Sequence, residues 1–122
     1  MNKNKKKIEE ILRVNHAGEY GAQIIYNSQI RFSKNNLLKK ELKRISSEEK
    51  VHLEYFEQQI LLSRTRPTIM QPLWKVGGTA LGFVSSVLGE KYVHACTEAI
   101  ESTIVDHYQE QVMYLKKKNV IY

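Results

Sequence analysis

Apolar positions recur every three or four residues along most of this chain, a period that predicts helices rather than strands. Over residues 5–33 the stripe runs Ile8, Leu12, Asn15, Glu19, Ala22, Tyr26 and Ile30, with no proline to interrupt it. Ala17, Gly18, Gly21 and Ala22 crowd its middle and are small enough to let another element approach closely. Asn35 and Asn36 then break the pattern and can cap a second helix. That helix, expected over 36–63, carries the clearest stripe: Leu38, Leu42, Ile45, Glu49, His52, Phe56 and Gln59. Lys39, Lys40, Lys43, Lys50, Glu54 and Glu57 fall on its other faces, as in a helix packed on one side only. Glu49 and His52 occupy the centre of that seam, so the pattern predicts that both point inward.

The segment SRTRPTIMQPLW, 63–74, reads as a linker, because Pro67 and Pro72 disfavour helical geometry at the residues before them. Residues 76–89, VGGTALGFVSSVLG, run without a charge. The run is too short to span a bilayer, which takes ~20 apolar residues. It suits a buried helix or a segment lying in a membrane interface, and Trp74 at its start fits an interfacial anchor. A last helix is expected over 90–118, with Thr97, Glu101, Ile104, Tyr108, Gln111 and Leu115 on one face. The whole predicts one all-α domain, a helical bundle over 1–122.

Charge changes this picture only at the ends. The chain has a formal net charge of +6, with lysines clustered in residues 3–7 and 116–118. No nucleic-acid motif accompanies them and the aromatics are not interleaved with the basic runs, so no nucleic-acid partner is expected. An anionic membrane surface suits clustered lysines beside an apolar segment better. A single cysteine, Cys96, cannot form an internal disulfide and points to a reducing compartment. Nothing near Met1 resembles a secretory leader.

Chemistry enters with the acids. Three helices each carry a carboxylate at the centre of an inward stripe: Glu19, Glu49 (with His52) and Glu101. Burying three carboxylates without partners costs several kcal/mol apiece or forces them to take up protons. Few lysines or arginines share those stripes. A metal cluster would resolve the conflict, since helical bundles hold paired metals with single Glu residues and Glu-x-x-His pairs from facing helices. A polar patch lined by Glu and His is the other reading, and a bare Glu-x-x-His does not decide between them.

Four stretches in order carry a more specific signal. RVNHAGEYGA (13–22), EEKVHLEYF (48–56), RTRPTIMQPLW (64–74) and ACTEAIESTIVDHY (95–108) resemble the demethoxyubiquinone hydroxylase family of ubiquinone biosynthesis, ferritin-like di-iron proteins, over residues 8–115. The resemblance implies iron ligation by Glu19, Glu49, His52 and Glu101, with Glu49 and Glu101 bridging and Glu19 terminal. It also sets His107 and Tyr108 beside the site, where packed helix residues are the alternative. His16 is expected at the helix surface, His94 in a structural role, and Glu48 and Glu98 at the rim.

The implied reaction is O₂-dependent ring monooxygenation of a polyprenylated demethoxyubiquinol. It would take place on a peripheral membrane protein held through 74–89 and the basic ends, on the cytoplasmic face of a bacterial membrane, beside other ubiquinone-biosynthesis proteins. The family carries a second Glu-x-x-His on a last helix, whereas no acid stands three residues before a histidine after Glu101 here. The expectation is therefore an incomplete ferritin-like bundle lacking that helix, a truncated copy or part of a split gene. Such a chain would hold at most one iron tightly, and it would be either a hydroxylase or an inactive remnant that binds quinone or a partner at the membrane.

Overall fold

The computed structural model describes residues 3–117 as four helices: α1 (Lys3–Phe32), α2 (Asn36–Leu62), α3 (Gln71–Leu88) and α4 (Glu90–Lys117). No strand occurs among the described residues, and the fold is an all-α bundle. Lys118 and the NVIY after it lie outside the described residues, as do Met1 and Asn2.

Helix α1 is the axis of the bundle, packed along its length against both α2 and α3. Helix α4 leans on α3 and makes a thinner seam with α1. The α1 stripe read from the sequence is buried at its centre, where Asn15, Glu19, Ala22 and Tyr26 are all shielded from solvent. Tyr26, Ala22, Leu38, Leu42 and Val93 form the apolar centre, with Ile30, Ile45, Ile100 and Ile104 packed around it. The α1–α2 turn is set as expected, since the Asn35 side chain accepts a hydrogen bond from the Leu38 amide at 3.1 Å. That bond satisfies one of the free N–H groups at the start of α2.

Two expectations change. The linker is shorter than 63–74, because α3 starts at Gln71 with Pro72 in its first turn. Proline is tolerated there since its missing N–H would have had no partner in a helix's first turn anyway. The closest helix approach also lies elsewhere than the glycines of α1, although Ala22 of that stretch packs in the core. A Cβ added at Gly21 would meet nothing within 4 Å, and at Gly18 only Ile104 at 3.9 Å. The tight contact is made by α3, where a Cβ on Gly78 would come within 2.9 Å of Ile24. Gly82 sits so close to α1 that its added Cβ would lie 2.8 Å from the Ile25 carbonyl oxygen.

The α1–α3 interface is polar as well as close. Ser28 Oγ donates to the Thr79 carbonyl, Gln29 Nε2 to Ser85 Oγ, and Ser86 Oγ to the Gln29 carbonyl. Its far side is apolar and open: Leu73, Trp74, Val76, Val84, Val87 and Leu88 are all exposed. No helix among the described residues is long and apolar enough to cross a membrane.

Candidate metal centre

The acids of three helices meet in the bundle interior. Glu19 is 1% exposed and Glu49 6%. His52 lies beside them but keeps 56% of its side chain in solvent, so the inward face expected of Glu49 and His52 is buried only at the glutamate. Its Nδ1 is 3.5 Å from Glu49 Oε2 and 3.9 Å from Glu19 Oε1. One ligand atom from each of Glu19, Glu49 and His52 fits within a 4.8 Å span. Glu101 stands outside that trio and joins it through Glu49, whose carboxyl interacts with both Glu19 and Glu101.

Two tyrosines fasten the outer acids. Tyr108 Oη donates to Glu19 Oε1 at 2.7 Å, and Tyr26 Oη to Glu101 Oε1 at 2.9 Å. Both bonds cross the α1–α4 seam, and one turn beyond Glu19 a reciprocal amide pair joins the same helices. Asn15 Nδ2 donates to Gln111 Oε1 at 2.9 Å, and Gln111 Nε2 to Asn15 Oδ1 at 2.6 Å. Burial raises both phenol pKa values, and hydrogen bonding to the adjacent carboxylate raises them further, so each tyrosine keeps its proton and acts as a donor.

The electrostatics are those of acids crowded together in the bundle interior. Glu49 is pushed up to about 7, first by burial and then by the neighbouring Glu19. Glu101 is raised by burial and by Glu49, against the opposing hydrogen bond from Tyr26. Glu19 Oε2 and Glu49 Oε2 are buried and have no hydrogen-bond partner. Buried polar atoms are ordinarily paired, so two buried carboxylates that each keep an unpartnered oxygen, with an imidazole within 4 Å of both residues, form a donor set suited to a hard or borderline divalent metal.

The other singled-out residues fall into place around this centre. His107 does not reach the acids through any hydrogen bond; it lines the grooves between α1 and α4. His16, expected at the surface, is 2% exposed. Its ring stacks near Tyr20, and its Nε2 lies 3.6 Å from Glu57 of α2. It sits on the same inward turn of α1 as Asn15 and Glu19, which is what removes it from solvent. His94 forms an exposed pair with Glu90, Glu48 pairs with Arg44 at the surface, and Glu98 is exposed. Sequence periodicity marks Tyr26 only as a stripe position; its bond to Glu101 is a contact at the acids that the pattern does not show.

A groove of about 690 Å³ runs beside the acids between α1, α4 and the 66–74 segment. Its walls are mainly apolar, and Ala22, Ile100 and Ile104 belong both to it and to the core around the acids. Arg13, Arg66 and His107 give it polar points. Arg13 also fixes the linker by donating to Thr65 Oγ1 at 2.9 Å.

An all-α bundle that brings Glu19, Glu49 and His52 within a 4.8 Å span, with Glu101 beside Glu49, has the arrangement of the helical bundles that bind metal through carboxylates. The comparison with known proteins narrows it. The model of the family described as ubiquinone biosynthesis protein COQ7 matches residues 6–120, and the chain belongs to that family. A mouse (Mus musculus) relative named NADPH-dependent 3-demethoxyubiquinone 3-hydroxylase, mitochondrial, is 37% identical over 118 residues, covering 97% of this chain and 54% of the relative. The 3-demethoxyubiquinol 3-hydroxylase of Rhodospirillum rubrum is 42% identical over 105 residues, 85% of this chain and 50% of that one. A Saccharomyces cerevisiae relative named 5-demethoxyubiquinone hydroxylase, mitochondrial, is 36% identical over 110 residues, covering 88% and 47%. The chain spans about half the length of the curated relatives it matches.

Proposed function

We propose that this chain carries the oxygen-activating part of a 3-demethoxyubiquinol hydroxylase of ubiquinone biosynthesis, with iron held by Glu19, Glu49, His52 and Glu101. The observation that carries this reading is the buried pair Glu19 and Glu49, each with one carboxylate oxygen that has no hydrogen-bond partner, with His52 Nδ1 3.5 Å from Glu49 Oε2 and 3.9 Å from Glu19 Oε1. In a member of this family such a donor set is best explained by a cation. Bound iron would supply O₂ activation for ring hydroxylation. The chain's own work is to hold that ion: Glu49 lies between Glu19 and Glu101 and is suited to bridge. Tyr108 and Tyr26 keep the two outer carboxylates oriented, and the apolar core formed by Ala22, Ile100 and Ile104 limits water at the back of the site.

The neighbouring groove suits the substrate. A polyprenylated quinol is long and apolar, and the groove's walls of Val14, Ile25, Ile69 and Trp74 match that character. The exposed apolar face of α3 and the lysines near the start of α1 favour attachment at an anionic membrane surface, where such a substrate dissolves. We place the protein there as a peripheral one, on the cytoplasmic face of a bacterial membrane. Trp74 is the chain's single tryptophan and lines the groove. Adding a short-chain ubiquinone analogue is therefore expected to quench its fluorescence saturably. Quenching that only rises linearly with quinone would remove the groove from this assignment.

One observation favours a second reading, in which the chain binds quinone and metal without turnover. The cluster contains a single imidazole, and His52 is half open to solvent. A four-residue donor set of this kind completes the shell of one ion but not of two. Expression in a bacterial strain that lacks the hydroxylase and accumulates demethoxyubiquinone distinguishes the readings, as restored ubiquinone supports the enzyme and its absence supports the binding protein. Iron analysis of the purified chain is expected to give at most one tightly held iron per chain; two per monomer would contradict this count.

A further inference from the structure

The two helices that clamp the acids carry the same spaced pattern. Helix α1 has Glu19, Tyr26 and Gln29; α4 has Glu101, Tyr108 and Gln111. Both read Glu-x₆-Tyr-x₂-Gln. The two helices meet so that each tyrosine reaches the other helix's glutamate: Tyr108 to Glu19 and Tyr26 to Glu101. Between these bonds Ala22 and Ile104, each three residues after its glutamate, share the core. Seven residues is nearly two helical turns, so glutamate and tyrosine lie on one face of each helix and an antiparallel partner meets them in exchanged order. The seam is therefore quasi-two-fold in chemistry.

From this exchange we propose that Tyr26 is a positioning residue for Glu101, equivalent to Tyr108 on Glu19, and that the pair sets which carboxylate oxygens are left for a cation. The proposal rests on the metal reading above. Its logic is visible at Glu19. The phenol of Tyr108 occupies Oε1, while Oε2 is buried without a partner. A phenol has one proton to give, so it fixes one oxygen and leaves the other. Tyr26 holds Oε1 of Glu101 in the same way and is itself fully buried, with Cys96 and the acids around it. The outer ends of the seam differ in strength. Gln111 is locked reciprocally to Asn15, whereas Gln29 donates to Ser85 and its Oε1 has no partner. The residue corresponding to Asn15, four before Glu101, is Thr97, which offers no amide. The Glu19 end is thus the more rigid one, and Glu101 depends on Tyr26 for its orientation.

The test is titration of the full 122-residue chain with Co(II), followed by its visible absorption, in the parent, Tyr26→Phe, Tyr108→Phe and, as a control, Tyr92→Phe at an exposed site on α4. Loss of a partner that orients a ligand typically weakens metal affinity by roughly 10–100-fold. Both Tyr26→Phe and Tyr108→Phe are expected to fall in that range and to shift the Co(II) bands, while Tyr92→Phe matches the parent. Normal affinity and bands in Tyr26→Phe, with a parent that binds, overturn the proposal alone. A parent that takes up no Co(II) overturns the metal reading and this proposal with it. If Tyr26→Phe does not fold, Glu101→Gln in protein carrying ¹³Cζ-tyrosine replaces it. The Tyr26 ring signal must then move more than that of Tyr108, which Glu101 does not hydrogen-bond, and an unmoved Tyr26 signal refutes the assignment.

Discussion

Replacing Glu49 by Gln is expected to abolish tight metal binding and, at the same time, to stabilise the metal-depleted protein at neutral and alkaline pH. Glu49 is the acid in contact with both of the others, so its loss removes the central donor. The fall in affinity should exceed the roughly 10–100-fold seen when only a ligand's supporting partner is lost. The gain in stability comes from its titration. Its carboxyl is raised from 4.5 to about 7 by burial and by Glu19. Between those pH values the folded chain holds a proton that the unfolded chain has released, so stability falls as pH rises through this window. Above about 7 the folded state must carry the charge against Glu19 and Glu101. A shift of this size corresponds to about 3 kcal/mol, shared with Glu101, whose carboxyl is raised beside it.

Gln keeps the shape, carries no charge and can donate to a neighbouring carboxylate, so Glu49→Gln should recover about 1–2 kcal/mol at pH 8 and almost nothing at pH 5. For a chain of this length that is about 3–10 °C in Tm at the higher pH. Paired thermal melts at pH 5 and pH 8, without metal and then with Fe(II) or Co(II), provide the measurement. A variant less stable than the parent at pH 8 would show that the acids are already neutralised there. Saturating metal should reverse the order, because only the parent gains binding energy in its folded state. A cluster of acids that destabilises its own fold is the trade between function and stability expected of the proposed metal site.

Sequence periodicity exposed this cluster because α1, α2 and α4 each contribute one acid to an inward stripe, and burial of Asn15, Glu19, Ala22 and Tyr26 follows the α1 stripe residue by residue. The same logic marked the Thr97–Leu115 face of α4, which is half-buried along its length. What periodicity could not show is which helices share a seam. Helix α1 has two packed faces, and the second, Ser28 and Gln29 against Ser85 and Ser86, is polar, so it does not stand out in a hydrophobic pattern. His16 was lost to view for the same reason, being a polar residue buried between α1 and α2. The exchange of Tyr26 and Tyr108 was legible in principle, since Glu-x₆-Tyr-x₂-Gln occurs on both helices. Recognising it requires knowing that α1 and α4 touch. Pro72 misled in the opposite direction: proline marks an interruption, and only the structure tells a helix's first turn from the end of one.

The glycines of α3 should respond to alanine in a graded order fixed by what stands opposite each. At Gly77 an added Cβ meets nothing within 4 Å. Alanine there should stabilise the protein by about 0.5–1 kcal/mol through helix propensity alone. At Gly78 the Cβ would come 2.9 Å from Cγ2 of Ile24. That methyl is the end of a side chain and can turn away, so repacking should roughly cancel the propensity gain. Gly82 has no such relief. Its Cβ would lie 2.7 Å from Ser28 Oγ and 2.8 Å from the Ile25 carbonyl oxygen, which is backbone. Helix α1 would have to move away from α3, disturbing the Ser28 bond to the Thr79 carbonyl and the Gln29 bond to Ser85. Overpacking of this kind costs about 1–3 kcal/mol, and a displaced polar interface adds to it. We expect Gly82→Ala to lower Tm by roughly 5–10 °C, with helical circular dichroism at low temperature nearly unchanged, because the helices persist while their packing loosens. Helix α3 supplies none of the acids or the histidine of the proposed metal centre, so a loss of Co(II) affinity in Gly82→Ala would have to pass through α1. A Gly82→Ala protein as stable as Gly77→Ala would mean that α1 and α3 are not in contact as described.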